Sequence, residues 1–88
     1  MIEIAPNVFV KSWDEVINGY LHGSGVFVIK LANGQCINVQ GDEDIKTTLN
    51  LWKSSGVPIP EEAASKVPEE INLWLPYATE KLVGKIVF

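Results

Sequence analysis

The chain has 88 residues, 47% hydrophobic, 20% charged and 9% aromatic, the profile of one globular domain spanning residues 1–88. Its seven basic residues, all lysines, stand against eleven acidic ones for a net charge of −4. With no guanidinium fork and with lysines scattered at 11, 30, 46, 53, 66, 81 and 85, neither nucleic acid nor an anionic membrane is an expected partner.

A domain of this size buries about 60–65% of the surface its unfolded chain exposes, which leaves little volume for a deep pocket. Residues Met1 to Pro6 contain no basic region leading into an apolar run. The longest uncharged stretch, Val16–Ile29, is interrupted by Gly19, Gly23 and Gly25. Neither a signal peptide nor a membrane span is expected. A single cysteine, Cys36, excludes an internal disulfide, and the expected compartment is the reducing cytoplasm.

Val8-Phe9-Val10 is a short β-branched and aromatic strand. Ser12 and Glu15 then have the spacing of a capping box, and Trp13, Val16, Ile17, Tyr20 and Leu21 recur on one face of a helix that Gly23-Ser24-Gly25 stops. Val26–Leu31 and Cys36–Gln40 form a hairpin around Asn33-Gly34, predicted as a two-residue type I′ turn. Asp42-Glu43-Asp44 suits a helix N-terminus, and Ile45, Leu49 and Trp52 follow on one face as far as Lys53 and Gly56. Val57–Pro60 is extended, because residues preceding proline avoid the helical region. Pro60-Glu61-Glu62 opens a helix of one or two turns. Pro68-Glu69-Glu70 opens another, with Ile71, Trp74, Leu75, Ala78 and Leu82 on one face and a kink at Pro76. Gly84 ends it, and Lys85–Phe88 returns as a terminal strand.

A two-residue turn pairs Leu31 with Cys36, Lys30 with Ile37, Ile29 with Asn38 and Val28 with Val39. One face then carries Val26, Val28, Ile37 and Val39, the expected core side. The other carries Phe27, Ile29, Leu31 and Cys36, more apolar than a solvated face should be. A chain this short is expected to cover that face only in part, so a protein partner or a second copy is expected to complete it. Phe27, Ile29, Leu31 and Trp52 are the partner-binding residues this implies. Trp13, Trp52 and Trp74 all lie on apolar helix stripes of the kind that mark core anchors, and of the three Trp52 is the one assigned to a partner.

Candidates for chemistry are few. His22, the sole imidazole, sits where a histidine favours the end of the predicted first helix; as a general base it needs a partner, for which Asp14, Glu15 and Asp42 are the candidates. Cys36 reads as a small apolar filler in mid-strand. One His and one Cys do not make a zinc set. Nine of the eleven acids fall at predicted helix starts, where dipole compensation accounts for them. No cofactor, metal or catalytic residue is expected.

Asn33-Gly34 with Ile37, then Leu49, Trp52, Gly56, Pro58 and Pro60, resembles a pattern in small phage and prophage proteins encoded near tail genes: a Gly-turn strand, an acidic step, a Leu/Trp helix, a Gly stop and a Pro-x-Pro exit. The resemblance covers residues 33–60, and the Gly-to-Pro interval here is one residue shorter than in that pattern. The expected fold is α+β: a small antiparallel sheet with its central hairpin at 26–40, packed with three to four short helices. The expected function is a non-catalytic protein–protein interaction module (an inhibitor, adaptor or assembly factor), phage-related if the resemblance holds. The alternative is a small enzyme or ligand-binding protein using His22 with a carboxylate.

Overall fold

A computed structural model describes residues 1–23 and 25–75, the side chain of Ala64 excepted. The chain opens with a hairpin of β1 (Ile2–Ala5) and β2 (Val8–Val10). Its turn puts Asn7 at a φ of 62°, a conformation asparagine tolerates, and the Asn7 N–H donates to Glu3 Oε2 at 3.1 Å. The sequence reading has β2 but not β1, although Ile2 and Ile4 flank Glu3 with the strand period.

Glu15 does cap, its Oε2 accepting the N–H groups of Lys11 at 2.7 Å and Ser12 at 3.3 Å. What it caps is a single 3₁₀ turn, Trp13–Glu15, after which the chain runs as β3 (Val16–His22). The helix expected over Trp13 to Leu21 is therefore corrected to a strand. Val16 and Ile17 are β-branched, Tyr20 is aromatic, and Gly19 in a helix interior costs about 1 kcal/mol relative to alanine. The strand also sends Leu21 inward and Tyr20 outward, a separation the helical stripe does not offer.

The hairpin β4 (Val26–Leu31) and β5 (Cys36–Gln40) has the expected strand limits and a different turn. Leu31 N–H donates to Gln35 O at 2.9 Å and Gly34 N–H to Leu31 O at 3.0 Å. Gly34 has a φ of 90°, and Asn33 is not left-handed. This is a three-residue loop with a bulge at Gly34, since type I′ requires positive φ at both central residues. The extra residue slips the register by one. Lys30 pairs with Cys36, Ile29 with Ile37, Val28 with Asn38 and Phe27 with Val39. Phe27, Ile29 and Leu31 thus share a face with Ile37 and Val39, the reverse of the expected partition.

Strand β6 (Glu70–Trp74) pairs with β3, with Leu21 opposite Ile71 and Gly19 opposite Leu73, and among the described residues the sheet has four strands in the order β5-β4-β3-β6. It replaces the helix expected from Pro68 onward. Ile71, Trp74 and Leu75 have helical spacing, but Ile71, Leu73 and Leu75 also alternate, and pairing with β3 selects the alternation. The expected kink at Pro76, the helical positions Ala78 and Leu82, and the strand 85–88 lie outside the described residues.

Two α-helices complete the described fold, against the three to four expected: α1 (Asp42–Ser54), as predicted, and the short α2 (Glu61–Ser65). The architecture is α+β, with two antiparallel sheets among the described residues. Ile45, Thr48, Leu49 and Trp52 form the buried stripe of α1, which packs against β1, β5 and α2. Trp52 is fully buried and lies edge-on to Phe27 at 5.5 Å and to Trp13 at 5.7 Å between ring centroids. Its Nε1–H donates to Ile4 O at 2.8 Å, tying α1 to the N-terminal hairpin. Trp52→Phe keeps an aromatic ring but leaves the Ile4 carbonyl without this donor and opens a void. It should lower unfolding free energy by about 2 kcal/mol, measured by urea denaturation. An unchanged midpoint would show that this tie carries no stability.

Candidate functional site

The four expected partner-binding residues are brought together, but inside the core. Phe27, Ile29 and Trp52 have no solvent exposure and Leu31 is 7% exposed. The expectation of a partly covered Phe27/Ile29/Leu31 face is overturned. The slipped register adds Ile37 and Val39 to that face, and Trp52 from α1 packs onto Phe27.

The opposite face is the surface one, and the pairing fixes its rows across the sheet. Cys36, Lys30, Asn18 and Trp74 form one row, and Asn38, Val28, Tyr20 and Asn72 the next. His22 and Glu70 pair in a third, alongside Val26 and Gln40. Val28 and Asn18 are buried, Tyr20, Lys30, Cys36 and Trp74 half-buried, and His22, Asn38, Gln40, Glu70 and Asn72 exposed. Cys36 is corrected here: it faces away from the main core, beside Lys30 and not Leu31.

His22 meets a carboxylate from a distant segment, and it is Glu70, not Asp14, Glu15 or Asp42. His22 Nδ1 lies 3.4 Å from Glu70 Oε2, both side chains more than 60% exposed. Tyr20 stacks on the imidazole at 6.0 Å. A solvated pair of this kind contributes about 0–1 kcal/mol, so Glu70→Gln should move the unfolding free energy by less than about 0.5 kcal/mol. A larger loss at neutral pH would give the pair a structural role.

Asn18 carries no functional signal in the sequence, where it reads as a polar residue in an apolar run. It is 1% exposed. Its Nδ2 donates to Asn72 Oδ1 at 2.5 Å and to Leu73 O at 3.1 Å. Leu73 O can only accept, which fixes the amide orientation and leaves Asn18 Oδ1 without a hydrogen-bond donor among the described residues. Asn18→Ala should cost about 1–2 kcal/mol, read as a fall of several degrees in thermal midpoint.

Two hollows share the Val67–Glu69 segment. One, of about 310 Å³, is lined by Glu62, Lys66, Val67, Pro68 and Glu69. The other, of about 160 Å³, adds Leu21, Gly23, Gly25 and Asp42 to Val67, Pro68 and Glu69. Neither is lined by His22, Tyr20 or Cys36. Among the described residues, no three His, Cys, Asp or Glu side chains converge as metal ligands, and no helix is long and apolar enough to cross a membrane.

No family model, curated protein or solved structure matches this chain.

Besides these hollows, the described residues offer an edge. Among the described residues β5 is the outer strand beside β4. The Leu31–Gln35 hydrogen bond sets the phase of that ladder, so the backbone groups of Ile37 and Val39 point to β4 and those of Cys36, Asn38 and Gln40 point outward. The sequence of β5, Cys-Ile-Asn-Val-Gln, holds no charge and no proline, two of the devices by which outer strands discourage pairing. Ile37 is only half-buried there and packs against the rim of the core.

Proposed function

We propose that this chain is a non-catalytic protein–protein interaction module (an inhibitor, adaptor or assembly factor) that pairs the outer edge of β5 with an extended strand of a protein partner. The observation that carries the reading is the uncharged, proline-free β5, with the Cys36, Asn38 and Gln40 backbone groups directed away from β4. Strand addition takes its affinity from main-chain hydrogen bonds and its selectivity from alternate side chains. Here those would be Ile37 and Val39 on the core side, and Cys36, Asn38 and Gln40 on the other. The stretch 33–60 that resembles phage tail-associated proteins contains this strand, which fits the same reading.

The alternative, chemistry at His22, gains Glu70 as its carboxylate. Both side chains are more than 60% exposed and neither lines either of the two hollows, so binding is the better supported reading.

Hydrogen exchange tests it. In dilute protein the Cys36, Asn38 and Gln40 amides should exchange much faster than those of Ile37 and Val39. Immobilised wild-type chain should retain a protein from its native extract that the Asn38→Pro chain does not. Protection of all three outward amides in the dilute chain, or identical retention by both chains, would overturn the reading.

A further inference from the structure

We infer that Asn33 is a site of spontaneous deamidation in the native chain, reacting with the nitrogen of Gly34, and that the fold shields the chain's other Asn-Gly step, Asn18-Gly19, from the same reaction. Four of the six asparagines, Asn7, Asn38, Asn50 and Asn72, precede valine or leucine, whose branched side chains crowd the nitrogen that must attack. Asn18 and Asn33 precede glycine, which presents its nitrogen without that obstruction. At Asn33 the Gly34 amide gives its proton to solvent hydroxide and its nitrogen bonds to Asn33 Cγ. The side-chain nitrogen leaves as ammonia, and a succinimide remains. Water then opens that ring at either carbonyl, to aspartate or isoaspartate, so the sum consumes one water and releases one ammonia.

The structure treats the two steps oppositely. Asn33 and Gly34 are exposed, and nothing lies within 4 Å of where a Cβ on Gly34 would stand. Two hydrogen bonds hold this step, Gln35 N–H to Asn33 Oδ1 at 2.8 Å and Gly34 N–H to Leu31 O at 3.0 Å. Both belong to a surface loop, which opens locally at little cost in free energy. Asn18, in contrast, is 1% exposed, and its Nδ2, part of the leaving group, donates to Leu73 O and Asn72 Oδ1. Gly19 is paired on both sides, with Ile29 and with Leu73, and lies against the Phe27 and Trp52 rings. Turning that backbone into a ring requires β3 to leave the sheet, so Asn18 reacts only through global unfolding. The isoaspartate form of residue 33 carries an extra methylene in the main chain of the three-residue loop that sets the β4–β5 register, so the modification alters the hairpin as well as the surface charge.

The folded chain, incubated at mildly alkaline pH and mapped by peptide mass spectrometry, should convert Asn33 to the acid at least about a hundredfold faster than Asn18. Isoaspartate at residue 33 should be detected as methyl transfer from S-adenosylmethionine by an isoaspartate methyltransferase. In urea sufficient to unfold the chain, the two steps should convert at similar rates. Asn33→Ser, which keeps an oxygen acceptor for the Gln35 N–H, should accept no methyl groups while folded. A folded chain whose Asn33 stays intact while the unfolded chain converts it, or one in which Asn18 keeps pace with Asn33, overturns the inference.

Discussion

Ile29→Glu should abolish folding, with loss of near-ultraviolet circular dichroism and of dispersed amide resonances at every concentration. Ile29 is fully buried in β4, between Gly19 of β3 and Ile37 of β5, on the face that α1 covers. Among the described residues, its neighbours across the sheet, Gly19 and Ile37, offer a carboxylate no cationic partner. Leaving a charge buried and unpaired costs roughly 3–5 kcal/mol, on top of the lost burial of the isoleucine. That sum is comparable to the whole stability of a domain of this size, at the lower end of about 5–15 kcal/mol. Lys30→Glu is the control. Lys30 is the next residue along, is half-buried and faces the other way, so its variant should fold. An Ile29→Glu chain with a native spectrum would mean that this face is open, and that the register around Gly34 is not the one described.

That register explains most of the distance between sequence and structure. Asn33-Gly34 marks a turn unmistakably, and the strand limits on either side are legible. Whether the loop has two residues or three is decided by the φ of Asn33, a small energetic difference between turn types, and letters alone do not settle it. The consequence is large because strand periodicity is two: one residue of slip transfers Ile37 and Val39 from one face to the other. The face that reads as too apolar for solvent is the core, and its apolar surplus is ordinary packing rather than a binding surface.

The segments Val16–Leu21 and Ile71–Leu75 read as helices for a related reason. In each, apolar residues satisfy the spacing of a helix and of a strand together, as with Ile71, Trp74 and Leu75 against Ile71, Leu73 and Leu75. The choice is made by tertiary pairing: β3 and β6 take their hydrogen bonds from each other, from Gly23 N–H to Glu69 O at one end to Leu75 N–H to Ile17 O at the other. Helix α1 is legible because nothing competes with it: acids in the first turn, a single stripe and Lys53 in the last turn agree. The candidate edge at β5 is legible only in composition, as a run without charge or proline. Its position at the margin of the sheet is a property of topology.

Gly19→Ala should lower the unfolding free energy by roughly 3 kcal/mol. Backbone conformation does not require the glycine, since Gly19 is not among the residues with positive φ. By itself the substitution would favour the folded state slightly by restricting the unfolded chain. Space decides the sign instead. A Cβ at this position would run into the Phe27 Cζ and would stand 2.6 Å from Trp52 Cη2 and 2.9 Å from Trp52 Cζ3. Both rings are fully buried and packed edge-on to each other, so neither can swing aside without displacing α1 or β4. Glycine is therefore the residue that lets α1 lie close on the sheet through Trp52. The cost should be visible as a lower urea midpoint and a changed tryptophan emission. It should shrink by about 1 kcal/mol or more in a Phe27→Leu background, where the ring tip is gone, a coupling that a double-mutant cycle measures directly. Gly19→Val, which adds two further methyl groups at the same point, should not fold. A Gly19→Ala chain with the wild-type midpoint would mean that α1 sits farther from β3 than described, and the packing of Trp52 on Phe27 would have to be redrawn.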